Sequence, residues 1–470
     1  MTWLEDVREP QARHEATYIV DEFARRDIEI GGVASPEDGV AYMYAEGQFL
    51  AREQYLDHIQ GVLGERARAD IVKRVIGDIV LVRIGDPARS DDSEGKDTAP
   101  EGEAARPVVL SFLDEVDAAL GPGIATPDHV LTVSQGTPHP CPASEPQEVY
   151  DPQPFPAVCP GNVGDGVRIY VADTGIVAET VTSANCPWLA GVTGDPDPSV
   201  EANGTILPYG AHGTFVGGVI RSMAPGAQIA VRCVFATAGS ALESEFVPEL
   251  HQGFQYGAEI FHVTVASPTR WNLPLIAFEA WLQDLRQHKG VVCIAPAGNN
   301  ESRLPCWPAA FPEVISVGAL GADWRSLAYF SDYGGWVDVY APGQNLVNAF
   351  AFGSYTCQNA PYAGQVRTFS GMAAWSGTSF STPIVTGLIA ARMARRGESA
   401  REAAEALLAE ARAKAIPGVG PVLLPGCDED ERRGCGCGCG DSCRCGCGPA
   451  TRTGCGCVPV TRTGCGCPDR

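Results

Sequence analysis

Between about residues 161 and 417 the chain repeats one pattern, in which short, largely apolar runs alternate with stretches of helical spacing. The runs fall at 167–172, 229–235, 259–266, 291–297 and 314–320. A strand that is apolar on both of its faces must be covered on both sides. Helices between such strands supply the cover, and the crossover length that parallel pairing needs. The pattern predicts one α/β domain over 161–417, with three layers and a mostly parallel sheet.

Residues 1–137 read as a small α/β module that precedes it. Residues 40–44 are strand-like, and Tyr55, Leu56, Ile59, Val62 and Leu63 recur at helical spacing. Residues 79–84 read as a buried strand. The stretch 89–105 is polar, acidic and free of large apolar side chains, which makes it a loop or linker. Val109, Phe112, Leu113, Val116 and Leu120 mark a second helix, closed by Gly121, Pro122 and Gly123. Residues 129–134 form a further strand, and the proline-rich 138–160 an extended connector.

The formal net charge of −23 argues against nucleic acid as a partner, because binding phosphates needs clustered Lys and Arg. No run approaches the length of a membrane span, and no basic start followed by an apolar run opens the chain, so the cytoplasm is the expected compartment. Of the 18 cysteines, seven lie from Cys141 to Cys357 and eleven from Cys427 to Cys467. Both groups are odd. In that compartment free thiols or metal ligands are expected rather than a disulfide framework. Residues 418–470 read as a low-complexity tail, with a Cys/Gly-rich sequence at 451–457 that recurs at 461–467.

Four segments carry chemistry. The run 167–172 ends in Asp173, followed by Thr174 and Gly175, at the strand end where α/β sheets place their functional edge. Taken alone, a strand-end Asp also serves as a helix cap. His212 is flanked by Ala211 and Gly213, small neighbours that allow close packing and leave one imidazole edge open. The run 291–297 leads through Ala297 and Gly298 to Asn299, which is either a Gly-Asn turn or an amide donor for a developing oxyanion. Ser379 lies between Thr378 and Phe380 in a Gly/Ser/Thr turn that opens an apolar helix, with Pro383 in what reads as its first turn. The free N–H groups and the dipole at such a helix start favour an anion.

The order Asp, His, Asn, Ser resembles that of subtilisin-like serine peptidases. The resemblance spans about 161–395 and includes residues 306–318, 328–334 and 337–343. It implies a subtilisin-like three-layer domain and a serine endopeptidase acting on peptide or protein substrates. Ser379 would be the nucleophile, His212 the general base and acid, Asp173 its orienter and Asn299 the oxyanion donor. The cleft would be lined by Thr264, Val265, Ala266 and Ser267 on one side and by Ala297 and Gly298 on the other. Ala266 and Ser267 stand where the family commonly has glycines, which implies a smaller primary pocket. The N-terminal module has a pattern compatible with the family's prodomains, with 138–160 as the region of cutting, or with an accessory domain that is never removed.

No cofactor is required by this chemistry. The C-terminal cysteines could hold a soft metal ion. No calcium site is assigned, since Asp195 and Asp197 fall in an Asp-Pro-Asp-Pro run that reads as a surface loop. Oligomeric state has no signature here. Two other readings remain: a catalytically latent or degenerate relative kept as a peptide-binding module, and a metal- or redox-responsive protein dominated by its tail.

Overall fold

A computed structural model describes residues 3–35, 39–65, 68–85, 108–133, 143–150, 152–235 and 238–427. The acidic stretch 89–105 and the tail beyond Cys427 lie outside the described residues.

The chain opens with α1 (Trp3–Asp6), α2 (Pro10–Ala24), β1 (Ile30–Ala34), β2 (Val40–Arg52), α3 (Leu56–Leu63), β3 (Arg68–Ile76), β4 (Ile79–Gly85), α4 (Val108–Leu120) and β5 (Ala125–Thr132). The strands pair antiparallel in the order β5-β2-β4-β3, with β1 also on β2. Four of these elements were not anticipated from sequence: α1, α2, β1 and β3. β5 also begins four residues earlier than expected. It is buried along its whole length, Asp128 and His129 included.

The larger domain follows as β6 (Arg168–Asp173), α5 (Ala178–Thr182), β7 (Thr193–Gly194), β8 (Thr205–Ile206), α6 (His212–Met223), β9 (Gln228–Cys233), β10 (Ser240–Leu242) and α7 (Glu243–Tyr256). It continues with β11 (Ile260–Val263), α8 (Ile276–Gln287), β12 (Val292–Pro296), β13 (Val314–Leu320), β14 (Val339–Pro342), β15 (Leu346–Thr356), β16 (Val366–Trp375), α9 (Thr378–Arg396) and α10 (Ala400–Ala413). Its seven-stranded sheet runs β14-β13-β12-β11-β6-β9-β7, with every pair parallel.

The pleat of β6 shows why these runs carry apolar side chains on both faces. Ile169 and Val171 point into a core with Phe215 and Val219 of α6 and Ile384 and Leu388 of α9. Tyr170 and Ala172 point into the opposite core with Phe246 and Leu250 of α7 and Trp281 of α8. The layers are therefore α6 and α9, the sheet, then α7 and α8.

The second core does not stop at the domain edge. Leu50, Ile79, Leu81 and Leu131 of the N-terminal sheet belong to the same cluster as Phe246 and Trp281. Each such side chain contributes about 1.5–3 kcal/mol when fully buried. The opposite face of the N-terminal sheet is closed by α3 and α4 through Phe49, Val80, Phe112 and Val116. β5 also pairs antiparallel with β10 of the larger domain, so one sheet crosses the boundary.

Polar groups reinforce this junction. Leu242 precedes α7 and cannot cap it. Asp128 on β5 accepts instead from Ser244 N at 3.0 Å and Ser244 Oγ at 2.7 Å. Glu243 in turn accepts from Ala277 N at 2.7 Å at the start of α8. Arg270, which is buried, pairs with Asp117 and Asp114 of α4 at 2.5 Å each.

Three expectations are corrected. Residues 143–150 and 152–160 are extended but packed: Gln147 bridges to Ala374, Phe155 bridges to Val347, and Trp375 Nε1 donates to Ser144 O at 2.6 Å. The larger domain continues past 417, because Val422 bridges to Tyr340 on β14 and Leu423 enters the core. Cys159 and Cys427, at the two ends of that domain, form a disulfide, where free thiols were expected. Cys186, Cys233, Cys293 and Cys357 remain thiols.

Candidate active site

Asp173 is the last residue of β6 and His212 the first of α6. Their approach depends on Gly213, where a Cβ would collide with the Gly175 carbonyl oxygen and press against Asp173 Cβ at 3.2 Å. Gly175 itself has φ +92°, and a Cβ there would lie 2.7 Å from Asp195 O. With both glycines in place, His212 Nδ1 reaches Asp173 Oδ1 at 2.8 Å and Oδ2 at 3.0 Å, and both side chains are fully buried. A carboxylate only accepts, so Nδ1 carries a proton, and in the neutral imidazole Nε2 presents its lone pair. Among the described residues Nε2 has no hydrogen-bond partner.

Ser379 is the second residue of α9, where backbone N–H groups have no partner within the helix. The next residue, Phe380, sets its ring 5.2 Å from the imidazole, and Trp375 sets its own at 5.6 Å, packed against Phe380 at 5.0 Å. These rings exclude water around the imidazole. Pro383 lies in the second turn of α9, not the first as anticipated. There its missing N–H frees the carbonyl of Ser379 without breaking the helix.

Asn299 comes to the same helix end. Its Oδ1 accepts from Thr378 N at 2.9 Å and Thr378 Oγ1 at 3.0 Å. Two donors on one oxygen fix the amide, so Nδ2 is the end left to donate elsewhere. Gly298 N donates to Thr378 Oγ1 at 3.2 Å, and Ala297 N to Val317 O at 2.9 Å. Asp332 braces the following loop by accepting from Asn300 N at 2.9 Å and Ser302 N at 2.8 Å, and burial pushes its carboxyl up to about 7. Asp173, His212, Asn299 and Ser379 are thus brought to the carboxyl end of the sheet and the starts of α6 and α9.

Thr264 to Ser267 extend β11. Thr264 Oγ1 donates to Ala172 O at 2.9 Å, which ties this segment to the strand bearing Asp173. Val265 is buried. Ala266 N donates to Thr132 O at 3.3 Å, and Ser267 Oγ accepts from Thr132 N at 3.2 Å. Ser267 also exchanges both backbone hydrogen bonds with Trp307, at 2.8 and 3.0 Å. On the other side of residues 130–133, Ser240 to Leu242 pair with Thr132 to Val130, and Val133 N donates to Gly239 O at 2.9 Å. The end of β5 therefore lies as a strand between β10 and the 264–267 segment.

The surface-loop expectation holds for Asp195 and is corrected at Asp197. Asp195 is partly exposed and pairs with Arg232 at 3.0 Å, as a surface residue would. Asp197 is only 6% exposed and faces Thr174 and Ala211. Among the described residues no group of three or more His, Cys, Asp or Glu is placed to hold a metal, and no helix is long and apolar enough to cross a membrane.

The model of the Subtilase family, Peptidase_S8, matches residues 164–423, more than half of the 470 residues. The chain belongs to the subtilase family. The thermophilic serine proteinase of Bacillus sp. strain AK1 is 32% identical over 226 residues, which cover 46% of this chain and 50% of that one. Thermitase of Thermoactinomyces vulgaris is 28% identical over 60% of this chain and 91% of its own. The chain spans about half the length of the first curated relatives it matches. Fervidolysin of Fervidobacterium pennivorans, described as a keratinolytic enzyme related to subtilisin, superposes with TM-score 0.52 at 18% identity. That match covers 82% of this chain and 60% of fervidolysin, and it establishes the subtilase fold.

Proposed function

We propose that the chain is a serine endopeptidase whose substrate cleft is held closed by its own N-terminal module. The observation that carries the first half is the His212 imidazole, held by Asp173 through Nδ1 with Nε2 unpartnered beside the helix start that bears Ser379. In this reading Nε2 takes the Ser379 proton as Oγ bonds to the peptide carbonyl carbon. The resulting oxyanion is held by Asn299 Nδ2–H and Ser379 N–H. The tetrahedral adduct collapses, the C–N bond breaks, and His212 returns the proton to the leaving amine. Water then repeats the sequence in place of the amine and frees the acid. The substrate is a peptide or protein, extended between Gly239 to Leu242 and Thr264 to Ser267.

The second half rests on residues 130–133, which take that strand position with backbone bonds on both sides. Leu131 is fully buried in the cluster that contains Phe235 and Phe246. Residues 134–142 follow this strand directly and precede the packed segment from 143, so cutting is expected within them. Fluorophosphonate labelling followed by peptide mapping tests the whole reading. Label confined to Ser379, together with a new N-terminus in that interval, supports it. Label absent from Ser379 after the module is cut away overturns it.

The junction also predicts a pH dependence. Burial pushes Asp128 up to about 7 and Glu243 up to about 8, and it pushes His129 down to about 4. For the carboxylates the bound value exceeds the free one, so their contribution is complete at low pH and is lost as pH rises through about 7 and 8. For His129 the sign is opposite, and its contribution is lost as pH falls from about 6.5 toward 4. Above pH 6.5 only the carboxylates titrate. The cut but associated module is therefore expected to bind one to two orders of magnitude more weakly at pH 8.5 than at 6.5. Residual inhibition measured against pH checks this, and an unchanged affinity sinks it.

A further inference from the structure

Asp197 is singled out by its surroundings rather than by its sequence. Three donors converge on one buried carboxylate. Thr174 Oγ1 donates to Oδ2 at 2.9 Å, Ala211 N to Oδ2 at 2.8 Å and Ser199 N to Oδ1 at 2.9 Å. Two of these donors flank the catalytic pair directly: Thr174 follows Asp173, and Ala211 precedes His212. Thr174 Oγ1 also accepts from Gly213 N at 3.1 Å, on the far side of His212. Asp173 Oδ1 accepts from Thr174 N at 2.6 Å, which closes a ring of bonds around the Asp173–His212 contact.

The backbone here needs such a hold. Ala211 has φ +64° and Tyr209 φ +67°, both in the left-handed region that non-glycine residues avoid. That bend lets α6 begin at His212, and the helix has no side-chain cap of its own. The N–H of Ala211, at the bend, finds its acceptor on Asp197. Asp197 is set in turn by its own backbone, since its N donates to Ile176 O at 3.1 Å.

We infer that Asp197 is a positioning residue for the catalytic base, joining the strand end that carries Asp173 to the helix start that carries His212. It touches neither substrate nor the reacting atoms. Its effect passes through the angle and distance at which Asp173 meets Nδ1. The groups that face it are Asp173 from β6, Thr174 and Ala211 through hydrogen bonds, and Cys233 at the end of β9, beside which Asp195 pairs with Arg232. Burial, with the neighbouring Asp173 charge, pushes its carboxyl up to about 6 against the pull of its three donors. Protonation would put a hydrogen where a donor now points, so the ring loosens as pH falls through that value.

This inference rests on the endopeptidase reading for its kinetic arm only. Asp197→Asn keeps the size but offers one acceptor oxygen where the site uses two. Relative to wild type, kcat is expected to fall by about 10–100-fold with KM unchanged. On the acid side the fall of wild-type kcat/KM should be steeper than that of the variant, by the proton that Asp197 takes up at about 6. Thr174→Val removes the hydroxyl in the ring and should give a similar loss, with the double variant no worse than either single one. It also serves if Asp197→Asn does not fold. The second arm needs no activity. In the uncut Ser379→Ala chain, adding Asp197→Asn or Thr174→Val should move or broaden the low-field Nδ1 proton resonance of His212. A wild type without peptidase activity would defeat the endopeptidase reading and leave that spectrum to decide the role of Asp197. An unmoved resonance in both variants, or an unchanged kcat and acid slope in an active enzyme, overturns the inference.

Discussion

Ser379→Ala is expected to lose peptidase activity by about a millionfold and to leave the chain uncut between 134 and 142. The direction follows from the geometry. Among the described residues Nε2 of His212 has no acceptor or donor of its own, so the base has one task, and that task disappears with the serine hydroxyl. The size is carried over from subtilisin, where losing the nucleophile or its base costs about 2 × 10⁶-fold in turnover. The two groups act as a unit. His212→Ala should therefore cost a comparable amount, and the double variant should be little worse than either. Thermal unfolding should not move, because the substitution removes a single oxygen from a residue that α9 already holds. Turnover of a fluorogenic peptide and the intact mass of the purified chain are the two readouts. Wild-type turnover in Ser379→Ala would assign the chemistry to another residue. A cut between 134 and 142 in that variant would make the cleavage the work of another protease.

The parts of this protein that could be read in its sequence are those whose signal is local. The five largely apolar runs correspond to β6, β9, β11, β12 and β13, because a strand buried on both faces carries apolar side chains on both. The site residues stood out for a similar reason. Asp173 ends a run, Gly298 and Asn299 end another, and Ser379 opens an apolar helix. Where the fold was missed, the signal was weaker or lay elsewhere in the chain. β3 is an edge strand that carries Arg68, Asp70, Lys73 and Arg74, so its charges mask its period. α2 does hold a readable stripe, Ala12, Ala16, Ile19, Val20 and Phe23, that went uncounted. Asp128 and His129 look like surface residues until α7 and Arg270 are laid over them. Asp197 lies fifteen positions before His212, separated from it by a turn and a short strand. Nothing in its spacing announces that it turns inward while Asp195, two residues earlier, turns out. The Cys159–Cys427 disulfide likewise joins residues 268 positions apart, so no local spacing announces it.

Asn299→Ala should cost about 100–1000-fold in kcat with little change in KM. The magnitude is again subtilisin's own, measured for the matching donor, while the split between kcat and KM comes from the arrangement here. Oδ1 is committed to Thr378 by two hydrogen bonds, so the amide cannot flip and Nδ2 has a fixed direction before any substrate arrives. A donor fixed in advance costs nothing to orient when charge develops on the carbonyl oxygen, and it makes its full bond only at that point. Removing it therefore raises the barrier and leaves ground-state binding alone. The same two bonds to Thr378 give the variant a structural cost as well, since Thr378 N is buried and loses its acceptor. Two readouts separate these costs. Thermal unfolding reports the lost acceptor, and the rate of fluorophosphonate labelling of Ser379 reports the nucleophile independently of peptide binding. If Asn299 holds the oxyanion, labelling and kcat fall together by far more than the stability change accounts for. If KM rises with kcat unchanged, Asn299 only shapes the cleft wall, and Ser379 N–H is left as the oxyanion donor.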